Sequence, residues 1–137
     1  MEHARDWFGG DRASAVRRYL EVNGGDPAGE RIADVDYQGN VHPTQFWQGY
    51  SLGNVRDRPF GAIWEDDSNP LLAGLRNREE HLTGRCATCR HRGVCRGGSR
   101  LRAFAAEGDV FAPDPQCYLT REERLGPAAG VGGSVAD

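Results

Sequence analysis

Four cysteines, spaced Cys86-x2-Cys89-x5-Cys95-x21-Cys117, constrain this chain more than its hydrophobic pattern does. With 137 residues there is room for one domain with a modest core, so a cross-link or metal centre would supply much of its order. Two thiolates at a C-x2-C spacing can chelate one centre from a tight turn. A third, six residues on, keeps the same loop wrapped around that centre, and the fourth returns from beyond a predicted helix to close it. Four thiols with none to spare fit an iron–sulfur cluster or a tetrahedral zinc site, with two disulfides as a third option. A second C-x2-C pair, common in zinc ribbons, is missing, which leans toward iron–sulfur. His91, between Cys89 and Cys95, is either an alternative zinc ligand or a solvent-facing loop histidine, and the second is the expectation.

The charge pattern narrows the function. All 17 basic residues are arginine, and the formal net charge is −3. Six of the arginines, Arg85, Arg90, Arg92, Arg96, Arg100 and Arg102, fall between residues 85 and 102 with no acid among them. Guanidinium groups there can stabilise a negatively charged cluster and raise its potential, or bind carboxylates of an anionic substrate; Arg85, Arg90, Arg92 and Arg96 are the candidates. The bland alternative is an exposed basic loop balanced by acids elsewhere. An overall acidic chain without aromatics interleaved in the basic stretch argues against nucleic acid. "MEHARDWFGGDR" has no apolar leader segment, and no run is long enough to cross a bilayer. The expectation is a cytoplasmic protein with no membrane contact and reduced thiols.

The remaining pattern predicts a loop-rich α+β fold: a small β-hairpin plus short helices around a thiolate-held centre. Residues 1–10 are expected to be frayed. "DRASAVRRYLEVNGG" reads as a short helix capped by Asp11, with Ala15, Val16, Tyr19 and Leu20 near one face and Gly24 as its stop. Residues 31–47 read as a hairpin around "QGN", with Ile32 and Val35 in strand-like positions and Pro43 placing the second strand at an edge or bulge. Pro59 opens a helix with Phe60, Ile63 and Trp64 on its apolar face. Pro70 opens another, capped by Ser68 or Asn69, with Leu71, Leu72 and Leu75 inward. The cysteine segment reads as loop, "GGSRLRAFAAEG" as a helix ended by Gly108, residues 109–120 as extended, and "REERL" as a charged helical turn.

Several blocks, in order, resemble a known family: "VDYQGNVHPTQFWQGYSLGNVRDRPFGAIW", "NPLLAGLRNRE", "GRCATCRHRGVCRGGSRLRA" and "GDVFAPDPQCYLTREE". Together they resemble the C-terminal SPASM/twitch auxiliary domain of radical SAM enzymes, nearest the haem d1 biosynthesis and siroheme-processing subfamily. The resemblance runs over residues 18–125, with residues 1–17 as a partly helical N-terminal segment and residues 126–137 as a disordered tail. It implies that Cys86, Cys89, Cys95 and Cys117 ligate one auxiliary 4Fe–4S cluster, working in electron relay or substrate positioning beside a radical SAM barrel. A carboxylate-bearing tetrapyrrole is the implied substrate. Related domains carry a further cysteine where this chain has Thr44, so a second cluster is not expected. The C-x3-C-x2-C loop that binds the S-adenosylmethionine-cleaving cluster is also missing. The expectation is an auxiliary piece, inactive alone, that works with a barrel on another chain or domain; the alternative is a zinc-stapled interaction module.

Two further candidates are expected to be structural. His42 sits in the hairpin next to proline, and Asp34 with Asp36 should form the hairpin's solvated face rather than an acid–base pair. Trp7, Trp47 and Trp64 are expected in the core or at an interface.

Overall fold

The computed structural model describes residues 15, 18, 19 and 21–126. Residues 15, 18, 19 and 21–23 are helical, and the helix stops before Gly24 as expected. Asp11, Val16, Leu20, Trp7, the frayed residues 1–10 and all of the predicted tail except Gly126 lie outside the described residues.

The hairpin forms, shorter than its sequence suggests. Strands β1 (Asp34–Val35) and β2 (Asn40–His42) pair antiparallel, with Asp34 opposite His42 and Val35 opposite Val41. Asp36 builds the turn between them: its Oδ1 accepts from the backbone N–H groups of Gln38 and Asn40 at 2.9 and 2.8 Å. Such side-chain closure is why Asp is favoured at turn entry. A third strand, β3 (Gly53–Asn54), pairs antiparallel with β2 and gives the order β1-β2-β3. This corrects the placing of the second strand at an edge. β2 is central, and it escapes the proline problem by ending at His42, one residue before Pro43. Ile32 lies outside the strands, in an isolated bridge to Ala28.

Helices follow in a row: α1 (Phe60–Trp64), α2 (Pro70–Arg76) and α3 (Arg78–His81). α2 starts where the sequence indicated, since Asn69 Oδ1 accepts from the N–H groups of Leu71 and Leu72 at 3.0 and 3.2 Å. Val41, Leu52, Ile63 and Leu72 make the core under the sheet, with Ala33, Trp64 and Leu71 packed against it. Phe60 stays 42% exposed and stacks on Trp64, so α1 buries Ile63 rather than a full apolar face. Arg76 lies over the Trp64 ring, 5.0 Å from its centroid.

One fully buried cation ties this core to the chain that precedes it. Arg78 donates from Nε to Leu75 O (2.7 Å), from Nη1 to Asp26 O (2.5 Å) and from Nη2 to Ala28 O (3.1 Å), with Glu30 3.4 Å away. Burial pulls its pKa down to about 10, still charged at any physiological pH.

The cysteine segment departs from the expected loop. It holds two single helical turns, α4 (Gly84–Ala87) and α5 (Arg92–Cys95). Then α6 (Arg100–Glu107) runs to Gly108, with Ser99 as its cap. Residues 109–120 contain no helix or strand, and α7 (Arg121–Leu125) carries a capping box in which Thr120 and Glu123 satisfy each other's backbone N–H. Trp47 is buried and meets Phe104 of α6 at 5.8 Å. No helix among the described residues is long and apolar enough to cross a membrane.

Candidate metal centre

Cys86, Cys89, Cys95 and Cys117 are all free thiols, and all four line one cavity of about 790 Å³. None of the four is paired in a disulfide. Each thiol is placed by backbone hydrogen bonds local to it. α4 begins with Cys86 N–H donating to Thr83 O (3.2 Å), and the C-x2-C turn closes with Cys89 N–H on Cys86 O (3.3 Å). Cys95 ends α5, its N–H on His91 O at 2.8 Å. Arg96, Gly97 and Gly98 follow at φ of +52°, +86° and +68°, three left-handed residues in a row that reverse the chain. The reversal brings Gly98 N–H onto Cys95 O at 3.1 Å and delivers α6 alongside.

Asp114 organises the return of the fourth thiol. Its Oδ2 accepts from Ser99 N–H (2.8 Å) and its Oδ1 from Gln116 N–H (3.0 Å). Arg102 grips both oxygens, Nε to Oδ1 at 3.0 Å and Nη2 to Oδ2 at 2.6 Å, and Asp114 O accepts from Cys117 N–H (3.1 Å) and Arg85 Nη2 (2.8 Å). Burial works to raise the Asp114 carboxyl, but Arg102 and the two N–H donors outweigh it and hold it below the usual carboxylate range. Asp26 adds a second tie, its Oδ2 accepting from Arg100 N–H at 3.1 Å.

The thiols sense one another. Burial pushes the Cys86 thiol up, and Cys117 and Cys89 add to the rise; an N–H from Asp114 and the charge of Arg100 oppose it. Burial likewise pushes Cys95 up, with Cys117 and Cys86 adding, while hydrogen bonding from the amides of Gly97 and Gly98 pulls it down. Cys95 is exposed by its surface, yet atoms crowd its sulfur; a concave wall allows both. The N–H groups aimed at the sulfurs of Cys86 and Cys95 would stabilise them as thiolates beside a cationic centre. Among the described residues no three His, Cys, Asp or Glu side chains converge as they would on a single metal ion.

The arginines divide. Arg92 lines the thiol cavity and donates to Ala87 O at 2.8 Å. Arg85 lines a second cavity with Thr83, Pro113 and Pro115, Arg90 Nε lies 3.2 Å from His91 Nε2, and Arg96 is held by Glu30 (2.5 Å) and Glu79 (3.3 Å). Arg102 and Arg124, from later in the chain, also reach the cavity wall. His91 lies on that wall as well, but its Nε2 is 3.0 Å from Glu123 O and so fixes α7.

His42 and Asp36 are structural partners. His42 is 3% exposed, with Nδ1 2.6 Å from Tyr50 O and Nε2 3.2 Å from Asp36 Oδ2. Asp34 accepts from Gln48 at 3.3 Å. Asp26 and Asp114 are the parts of the site that the sequence did not mark, and Arg100 stood in the arginine stretch without being singled out. The turn signal "PDP" just before Cys117 was the available clue for Asp114; nothing local marks Asp26.

Residues 27–90 match the SPASM model, an iron-sulfur cluster-binding domain, a stretch that includes Cys86 and Cys89. The chain is 48% identical over 116 residues to an Fe-coproporphyrin III synthase of Methanosarcina barkeri, covering 82% of this chain and 29% of that one. It is 42% identical over 123 residues to a pre-heme d1 synthase of Dinoroseobacter shibae, covering 90% and 30% respectively. A PqqA peptide cyclase of a Methylobacterium species is 32% identical over 67% of this chain. The chain thus spans less than a third of the length of these relatives. With four free thiols on one cavity and a family model matching residues 27–90, the chain carries a SPASM iron–sulfur cluster-binding domain similar to those stretches of an Fe-coproporphyrin III synthase and a pre-heme d1 synthase.

Proposed function

We propose that Cys86, Cys89, Cys95 and Cys117 together hold one auxiliary 4Fe–4S cluster, and that this domain serves a radical SAM barrel acting on a carboxylate-bearing tetrapyrrole in the cytoplasm. The observation that carries the reading is the placement of all four free thiols on one cavity wall. The names of the relatives, an Fe-coproporphyrin III synthase and a pre-heme d1 synthase, support the substrate class. A cluster held by four cysteines supplies a one-electron donor or acceptor, and with a thiolate for every iron the set supports relay rather than substrate ligation.

The chain's own residues then have definable tasks. Amides of Gly97, Gly98 and Asp114 hydrogen-bond to cysteine sulfur and favour the thiolate form. Asp114, gripped by Arg102, keeps Cys117 beside the Cys95 turn. Leu101, Val94 and Leu119 make part of the cavity wall apolar, which limits water near the thiols. Arg92 and Arg124 on the same wall offer guanidinium groups to a substrate carboxylate, and Arg124 Nε is buried without a hydrogen-bond partner.

Isolation of the chain under strict anaerobiosis tests the reading. A brown protein with equal iron and acid-labile sulfide supports it. A colourless one with a single tightly held zinc would replace it with the zinc-stapled module. The 137 residues contain no C-x3-C-x2-C loop, so with dithionite and S-adenosylmethionine they should release no 5′-deoxyadenosine unless a barrel chain is added.

A further inference from the structure

Arg100 stands at the start of α6 and is fully buried. Its guanidinium keeps its charge throughout the pH range of folding, and an ion taken out of water without a counter-charge is strongly destabilising. Its side-chain hydrogen bonds end on neutral carbonyls: Nη1 on Val110 O and Ala112 O, both at 2.9 Å, Nε on Gly98 O at 3.4 Å, and Nη2 on Gly97 O. None reaches a carboxylate. Asp26 and Asp114 act on it through space, but their oxygens are already engaged, Asp114 by Arg102 and Asp26 by backbone N–H groups of Ala28 and Arg100. The other groups in its field that can carry negative charge are Cys86 and Cys95, once a metal centre holds them as thiolates.

The carbonyls it holds lie on two separate stretches. Gly97 and Gly98 directly follow Cys95, and Val110 and Ala112 lead to Asp114 and Cys117. We infer that Arg100 is a positioning residue for the cluster: it clamps the Cys95 turn to the segment that delivers Cys117, and it supplies the buried positive charge that a thiolate-held cluster balances. This rests on the reading that the four thiols hold a cluster. Arg100 differs in this from Arg96, whose charge Glu30 and Glu79 already balance. Removing the charge favours the less negative, oxidised state of a cluster and lowers its reduction potential. A lysine keeps the charge but cannot span both pairs of carbonyls.

The test uses the full chain, reconstituted anaerobically with ferrous iron and sulfide, as wild type, Arg100→Gln, Arg100→Lys and the exposed control Arg58→Gln. Arg58 pairs with Asp66 on the surface. Iron content, midpoint potential by redox titration and the rate of iron loss to a chelator are read. Expected are a lowered potential and several-fold faster iron loss in Arg100→Gln. Arg100→Lys should keep a potential near wild type yet lose iron faster, and Arg58→Gln should match wild type. A loaded Arg100→Gln with unchanged potential overturns the inference. So does failure of both Arg100 variants to take up iron, which would make the residue scaffold alone. A wild-type chain that takes up no iron defeats the cluster reading instead.

Discussion

Replacing Gly98 with alanine strikes the contact between the Cys95 turn and the Cys117 segment, and the structure allows its size to be worked out. Gly98 sits at φ +68°, where a side chain costs about 1–2 kcal/mol. A Cβ there would lie 2.4 Å from Asp114 Oδ2, the oxygen that accepts from Ser99 N–H and Arg102. Asp114 must move, and a weakened charge-assisted hydrogen bond adds about 1.5–3 kcal/mol. The sum is roughly 2.5–5 kcal/mol, a large part of the roughly 5–15 kcal/mol that stabilises a domain. At about 4 °C or more per kcal/mol, the melting temperature should fall by at least about 10 °C. Gly93→Ala is the matched comparison in the same segment. Gly93 lies inside α5, and its nearest foreign atom would be Glu79 Oε2 at 3.8 Å, so alanine there should stabilise by about 0.5–1 kcal/mol. Thermal unfolding of both variants, with iron content measured in parallel, checks this. Gly98→Ala within about 1 kcal/mol of wild type, or Gly93→Ala as damaging as Gly98→Ala, would refute the reasoning.

Three further outcomes are expected. Leu75→Ala, at a fully buried position away from the thiol cavity, should cost about 2–5 kcal/mol in denaturant unfolding while leaving iron uptake at low temperature intact. The His42–Asp36 pair sets a pH response. Burial works to lower the His42 pKa, but the Tyr50 carbonyl and Asp36 raise it above 6.5, so its contribution is complete below pH 6.5 and fades as pH rises through the folded value. Asp36, lowered chiefly by Asn40 with a smaller part from His42, contributes above its usual pKa of 3.8 and loses that contribution as pH falls below it, so His42→Gln should flatten the alkaline limb and weaken the acid limb only in part in unfolding titrations. Stripping iron with a chelator should open residues 84–118 to protease before the hairpin, residues 31–47, is cut, because Cys86 and Leu82 are among the few buried apolar groups near α4 and α5; equal cleavage of both would contradict it.

What the sequence disclosed and what it hid follow from the range of the interactions. Helices α1, α2, α6 and α7 were legible because proline, Asn69, Ser99, Thr120 and Gly108 act within a turn of where they stand. The turn at Asp36–Gly39 was legible for the same reason. β3 was not, since Gly53 and Asn54 carry no strand pattern and exist as a strand through pairing with β2. The helical turns holding Cys86 and Cys95 are four residues each, too short for periodicity to register. In the site, the cysteine spacing marked the four thiols, but the contacts that gather them span long sequence distances. Asp26 meets Arg100, 74 residues on, and Arg78 meets Asp26 from 52 residues away. Nothing in the sequence separates the buried Arg78 and Arg100 from their exposed neighbours, because charge alone does not indicate burial; carbonyl partners do.

The central claim is that Cys86, Cys89, Cys95 and Cys117 act as one ligand set. Mössbauer spectroscopy of the chain reconstituted with ⁵⁷Fe and sulfide, with iron counted per chain, addresses it most directly. About four irons per wild-type chain in a single diamagnetic 4Fe–4S signal is the predicted result. Cys86→Ser, Cys89→Ser, Cys95→Ser and Cys117→Ser should each reduce that signal. Full iron loading with an unchanged spectrum in any one of the four variants would contradict the account.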